Sequence, residues 1–380
     1  MTHRERWLRA MHFESVDHVP DEEFGYWENT LRDWHEQGLP GEIDTLPKAD
    51  VYFGFAPRAG VPLENYLRPA FERLVLEDRG DHLLIQDEHG ATCEILSSGR
   101  DTIPHFLDFR LKNREVWERE FKPRLDPDDP QRRPDPAAWE QMTAEWKQRD
   151  YPLGVSIGSL YGWIRDWMGF ERAAMMVYDD PGLVEEIMEQ ITRVVLRNLE
   201  WAAGDVDIDF GSGWEDMCFN QGPMISPADF ERLMVPRYRR ITELLKQHGC
   251  DIVYTDCDGN INHLVPLWLE AGVNCMFPVE VAAGSDPLPL RDRYGKRLLL
   301  LGGVNKRSLI AGKEAIRKEV ARIVPYVAEG GWIPHVDHRV PPDVTLENYR
   351  YYLALKRDTF GIPEPAPWEE RRPADWGPRP

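Results

Sequence analysis

The sequence predicts an α/β protein, a distorted (β/α)8 TIM barrel with an inserted hairpin region in its N-terminal part, and three observations carry that expectation. Strand-like and helix-like segments alternate from residue 153 to residue 357, a rhythm that requires a parallel sheet. No GxGxxG or GxxxxGK[ST] follows a strand, so the glycine loop by which open nucleotide-binding sheets cradle phosphate is missing. Polar residues able to do chemistry stand just after several of the strands, where barrels carry their sites. Alternation alone does not separate a closed barrel from an open sheet; the missing glycine loops tip the reading to the barrel.

Residues 1–18 read as a short helix with Trp7, Leu8, Met11 and Val16 on one side, followed by an apolar-acidic stretch from Val19 to Gly25 that reads as the first strand. Residues 83–95 read as two strands around a turn at His89-Gly90. The charged, proline-rich stretch 126–136 reads as a surface connection or a domain boundary. Regularity begins with a strand at 153–158. Asp180 and Pro181 then supply the cap and first-turn proline of a helix carrying Val184, Ile187, Met188, Ile191 and Val195 on one face. A strand at 206–210 follows, then a helix opened by Ser226-Pro227 and running to His248-Gly249. Strands at 250–255, 273–277, 298–301 and 332–335 are interleaved with helices at 264–271 and 313–328, and a helix at 346–357 closes the series. A single barrel domain over residues 1–360 is expected, with a proline-rich C-terminal tail at 361–380 lying on the surface or disordered.

Bulk properties narrow the function classes. The chain has 380 residues, 42% hydrophobic and 29% charged, which suits a globular fold with ample core material. Its 46 basic against 66 acidic residues give a net charge of −20, which disfavours nucleic acid as a partner. No apolar run long enough to span a membrane is present, and the opening residues lack a signal-peptide core, so a cytoplasmic protein without a membrane partner is expected. The five cysteines are scattered with no CxxC pair, predicting reduced thiols rather than a disulfide framework or a zinc knuckle.

Candidate site residues follow the strands. Asp256 and Asp258 occupy alternate positions of an extended segment, which puts both carboxylates on one face, unless they form an Asx turn. Cys257 between them turns away and reads as a packing residue. His335 and His338 lie on a loop beside Pro341-Pro342. Glu215 and Asp216 are candidates for an acid–base pair, although neighbours at a strand end point apart. Tyr161, Trp163 and Trp214 are placed to wall a planar ligand or to pack as core, and Asn305 follows the strand at 298–301. Carboxylates and imidazoles at one mouth suit divalent metal binding, proton relay, or a cationic or NH-bearing ligand.

Several motifs together resemble one family. They are Gly158-Ser159-Leu160-Tyr161-Gly162, Met168-Gly169-Phe170-Glu171, Tyr178-Asp179-Asp180-Pro181, the stretch from Gly222 to Pro227, Asp258-Gly259-Asn260, Gly302-Gly303-Val304-Asn305 and Asp337-His338-Arg339-Val340-Pro341, with Asp17-His18-Val19-Pro20 and Thr102-Ile103-Pro104 before them. In order and spacing the chain resembles the uroporphyrinogen decarboxylase superfamily, and its corrinoid-linked methyltransferase-like branch more than the true decarboxylases. The resemblance implies a distorted barrel that either decarboxylates tetrapyrrole side chains or moves methyl groups from a corrinoid to a thiol.

The decarboxylases carry an arginine-rich segment near the N terminus, whereas this chain has Asp21, Glu22 and Glu23 there; acids at that place are expected to repel a polyanionic substrate. The methyltransferases hold zinc through a His-x-Cys and a later Cys; the matching positions here are Asp256, Asp258 and His338. The resemblance therefore implies a harder divalent site for zinc, manganese or iron at Asp256, Asp258 and His338, completed by Glu215 or Asp216. Asp256, Asp258, His338 and Glu215 are the expected catalytic residues, and Trp163, Tyr161, Trp214, Asn305 and His335 the expected substrate-binding ones. A small-molecule substrate, a corrinoid methyl donor and a corrinoid carrier protein are the expected partners, with a homodimer also admitted. A metal-free tetrapyrrole lyase and a non-catalytic corrinoid- or porphyrin-binding barrel are the alternatives.

Overall fold

A computed structural model describes residues 1–98 and 103–376; Thr102 of the motif above and residues 377–380 of the tail lie outside them. In chain order the strands are β1 (Ala59–Gly60), β2 (Leu74–Asp78), β3 (His82–Gln86), β4 (Thr92–Leu96), β5 (His105–Asp108), β6 (Leu153–Gly158), β7 (Phe210–Trp214), β8 (Cys218–Phe219), β9 (Gly222–Pro223), β10 (Val253–Asp256), β11 (Cys275–Phe277), β12 (Leu299–Leu301) and β13 (Trp332–Ile333). Among the described residues a seven-stranded sheet runs β1-β6-β7-β10-β11-β12-β13, and every pairing in it is parallel. All its carboxyl ends therefore open on the same side.

Alternation along these short strands divides the interior. Phe210, Cys275, Phe277, Leu299, Leu301 and Ile333 pack with Trp7 and Met11 of the first helix. Their neighbours Met276 and Leu300 face the larger core shared with the flanking helices. The first helix thus plugs one face of the curled sheet; it ends at Met11, and Val16 lies beyond it.

Residues 19–25, expected as the first strand, form no ladder. They run between the outer strands on single hydrogen bonds: Ala56 N donates to Asp21 O (2.8 Å) and Val340 N to Gly25 O (2.9 Å), with an isolated parallel bridge from Tyr26 to Val340. The first strand of the sheet is β1, a two-residue segment with no periodic signal to announce it.

The expected hairpin is present as β3 and β4, inside a four-stranded antiparallel sheet β2-β3-β4-β5. Its turn is set by Asp87, whose Oδ1 accepts from His89 N (3.0 Å) and Ala91 N (2.8 Å). The expected strand at 206–210 is shifted: β7 starts at Phe210 and includes Gly211 and Gly213. Close packing explains those glycines, since a Cβ on Gly211 would lie 2.8 Å from Leu245 Cδ1. Asp209 ends the approach to β7 by accepting from Leu153 N (2.8 Å) and pairing with Arg4 and Arg149.

Capping signals locate the helices well. Asp180 caps Pro181–Ala203, Ser226 caps Pro227–Leu233, and Thr345 caps Leu346–Phe360. The single helix expected over 226–248 is two, Pro227–Leu233 and Val235–Gln247, because Pro236 has no N–H to continue the first. The stretch 126–136 is bound to the body by buried Arg132, which donates to Asp126 O, Glu64 O and Tyr66 O. Tail residues pack in part as well: Arg371 donates to the carbonyls of Val51 and Tyr52, and Arg372 pairs with Glu42. All five cysteines are free and buried.

Candidate functional site

At the carboxyl ends of β6, β7, β10 and β11 a cavity of about 320 Å³ is walled by the aromatic side chains Phe24, Trp163, Trp214, Tyr254 and Phe277. Arg58, Ser156, Ser212 and Asp256 add its polar side chains. The register explains the convergence, since Asp256 lies level with Trp214 on one side and Phe277 on the other. Trp163 arrives from the helix Tyr161–Met168 that follows β6.

Beside the cavity, Asp258 Oδ2 and His338 Nε2 lie 2.9 Å apart in a half-buried ion pair. Phe24 and Trp27 hold the imidazole, their ring centres 5.8 and 5.5 Å from it, and Arg339 lies over both aromatic rings. Burial pulls the His338 imidazole down, but its hydrogen bond and charge pairing with Asp258 prevail and hold it above the usual histidine value. The other Asp258 oxygen, Oδ1, is buried without a hydrogen-bond partner. An orphaned carboxylate oxygen of this kind calls for an explanation, and a ligand or a reacting proton supplies one.

Two more carboxylates crowd this pair. Burial, followed by the charges of Asp258 and Asp216, pushes Asp256 well above the usual carboxylate range, so its surroundings favour the uncharged form. Asp216 is also raised, by burial and Asp258, against the pull of Arg165. Its backbone is left-handed, φ 40°, a conformation that costs a non-glycine residue about 1–3 kcal/mol. Arg165 holds it there by donating to its Oδ2 (3.2 Å) and to its carbonyl oxygen.

The expected metal set is placed differently from a chelate. Asp256, Asp258 and His338 reach one mouth, yet Asp258 closes on His338 directly, and among the described residues no group of three or more His, Cys, Asp or Glu side chains is arranged to hold a metal ion. The donors as they stand do not fit a divalent ion.

Four further expectations are corrected. Glu215 is fully buried and faces away from the cavity mouth, where its carboxylate accepts from Leu160 N, Tyr161 N, Gly162 N, Ser159 Oγ and Tyr238 Oη. It anchors the start of the helix Tyr161–Met168, where orphan N–H groups favour an anion. Tyr161 is itself fully buried in the core. Asn305 caps the helix Lys306–Ala311 by accepting from Arg307 N (3.0 Å). His335 is buried below Phe24 and Phe277, bonded through Nδ1 to Val336 O (2.8 Å), and burial pushes its imidazole down to about 3. Trp163 and Trp214 do line the cavity.

The acidic N-terminal stretch is not a free negative surface. Asp21 pairs with Lys356 (2.9 Å) and Arg357 (2.8 Å), and Glu23 with Lys356 (2.7 Å), all buried. Repulsion of an anion by these acids therefore does not operate as expected. Sequence reading missed Arg58, Phe24 and Tyr254: Arg58 lies in the irregular region before residue 125, and Tyr254 reads as an ordinary strand residue.

Against this geometry, the family model for uroporphyrinogen decarboxylase (URO-D) matches residues 120–358, well over half of the chain. The chain belongs to the uroporphyrinogen decarboxylase family. The match spans β6 through the helix Leu346–Phe360, and so contains Asp256, Asp258 and His338. The chain is 25% identical over 201 residues to uroporphyrinogen decarboxylase of Pseudomonas fluorescens, covering 48% of this chain and 50% of that one. It is 20% identical over 191 residues to the chloroplastic uroporphyrinogen decarboxylase of Zea mays, covering 50% and 46%. The chain thus spans about half the length of the curated relatives it matches. A methyltransferase from Methanosarcina mazei shares the fold over nearly the whole length, with TM-score 0.63, 16% identity, and coverage of 95% of this chain and 99% of that one. Members of the uroporphyrinogen decarboxylase family named here are enzymes, and no helix among the described residues is long and apolar enough to cross a membrane.

Proposed function

We propose that this family member is a methyltransferase acting on a small molecule at the sheet mouth, moving a methyl group between a corrinoid or small methylated donor and a small acceptor. The observation that carries the reading is the Asp258–His338 pair with Asp258 Oδ1 left without a partner. An acceptor X–H that attacks a methyl group must lose its proton as the new X–CH3 bond forms and the donor–methyl bond breaks with its electron pair going to the donor. Asp258 Oδ1 takes that proton, and the adjacent His338 imidazole, hydrogen-bonded to Oδ2, stabilises the carboxylate before transfer. In the reverse direction Asp258 returns the proton to the leaving group. Residues 20–26 are read as the element that closes the curled sheet into the expected barrel.

A cavity of about 320 Å³ sits at the lower end of the roughly 300–1,000 Å³ typical of small-molecule sites, which favours a small ligand over a whole tetrapyrrole. The test is the visible spectrum of methylcobalamin incubated with the purified protein and a panel of thiol and phenol acceptors, before and after chelator treatment. Demethylation that survives chelation and is lost in Asp258→Asn supports the reading. Loss on chelation returns the divalent-metal site; inactivity toward methylcobalamin together with turnover of uroporphyrinogen replaces methyl transfer by decarboxylation.

A further inference from the structure

Two cations near the site, Arg58 and Arg339, have no close ion pair among the described residues; Arg339 lies over Phe24 and Trp27, and Arg58 lines the cavity. Lys356 and Arg357 are enclosed by carboxylates, and Arg165 is bonded to Asp216. Arg58 has one loose ion pair, Nη1 to Glu22 at 3.7 Å, with 37% of its side chain accessible. Among the described residues its guanidinium makes no hydrogen bond. It lines the aromatic cavity and also an adjoining one of about 340 Å³, the two sharing Ser156, Ser212 and Tyr254.

We infer that Arg58 is the anchor for a carboxylate on the ligand, so that the ligand class is a small planar monoanion held with its acid group on Arg58 and its ring between the aromatic walls. This rests on the reading of the cavity as the substrate site. The guanidinium offers donors in a planar fork that matches a carboxylate, and it is a cation that the protein has not already matched. Tyr254, Glu22 and Asp50 face it and hold the guanidinium charged against burial, while burial pushes the Glu22 carboxyl up and raises Asp50 to about 7. Asp256 also lines the cavity, with Asp258 and Asp216 near it. Arg58 is the one cation lining the cavity among the described residues, which suits a ligand with a single negative charge. Flat walls from Phe24, Trp163, Trp214 and Phe277 favour a ring between the two poles. The decarboxylase-type arginine segment is absent from residues 19–27, so this anchor comes from a different part of the chain, the loop that leads into β1.

Calorimetric titration of the full chain with benzoate and with benzamide tests the assignment. Benzoate is expected to bind at least tenfold more tightly than benzamide. Arg58→Gln should remove that tenfold preference while leaving benzamide unchanged, and Arg58→Lys should keep part of it. Equal binding of the two probes, no benzoate binding to the wild type, or an undiminished preference in Arg58→Gln overturns the proposal. Should Arg58→Gln fail to fold, the benzoate-to-benzamide ratio in the wild type and in Arg58→Lys decides. The result is separable from the methyl-transfer reading: methylcobalamin turnover without carboxylate preference breaks only this proposal, and carboxylate preference without turnover breaks only the other.

Discussion

Two of the clusters of acids and cations among the described residues are built on opposite terms. Beneath the sheet edge, Asp21 and Glu23 are enclosed with Lys356 and Arg357, and Glu23 also accepts from Tyr352 Oη (2.9 Å) and Val336 N (3.2 Å). At the mouth, Asp216, Asp256 and Asp258 outnumber their partners, one is held in a left-handed backbone, and one keeps an orphan oxygen. The first cluster is matched charge for charge and fixes residues 20–26 against the helix Leu346–Phe360. The second crowds three carboxyl groups around two cationic partners, Arg165 and His338, and raises two of them, the condition of a candidate functional site.

The sharpest way to break this contrast is to unbalance the matched cluster. Lys356→Met leaves Glu23 buried without its cation and should cost about 3–5 kcal/mol of stability, read by urea unfolding; a loss near zero would mean the network is dispensable. Glu215→Ala, which strands the N–H groups of residues 160–162, should cost roughly 3 kcal/mol. A fall in activity of folded Glu215→Ala beyond about tenfold would return Glu215 to the catalytic set.

At the mouth the balance reverses. Asp258→Asn should change stability by less than about 1 kcal/mol, as expected for a partly exposed pair, yet lower turnover by roughly 10²–10⁴-fold. A variant as active as the wild type removes Asp258 from proton transfer. The smallest effect concerns pH. Because the folded Asp256 carboxyl is raised above its unfolded value, its neutral form contributes stability that is complete below the usual carboxylate range and is lost as pH rises through the folded value. Melting temperatures of Asp256→Asn should therefore fall less steeply toward alkaline pH than those of the wild type; parallel curves would show that Asp256 is already ionised.

Legibility in the sequence followed the physics of each element. The helices opened by Asp180-Pro181 and Ser226-Pro227 could be read because capping is local chemistry. Strand β7 was misplaced because Gly211 and Gly213 are chosen for close packing with Leu245 and Ile157, which leaves no strand-like side chains to recognise. Strand β1 is too short for any period. At the site, Asp256, Asp258, His338, Trp163 and Trp214 could be placed from their positions after strands. Glu215 could not be told from Asp216, since only the fold shows which neighbour turns inward to a helix start. Arg58 carried no local signal at all: its significance comes from partners it lacks, and that is a property of the packed structure.

The claim at the centre of this account is that Asp258 and His338 form one charged unit at the mouth. Its most direct test is the NMR titration of the His338 ring in the wild type and in Asp258→Asn, which requires no knowledge of the substrate. The account predicts a wild-type midpoint above the ordinary histidine value of about 6.5 and a midpoint below it in Asp258→Asn, where burial and the charge of Lys306 are opposed only by the bond to the Arg339 carbonyl. Identical midpoints in the two proteins would contradict it.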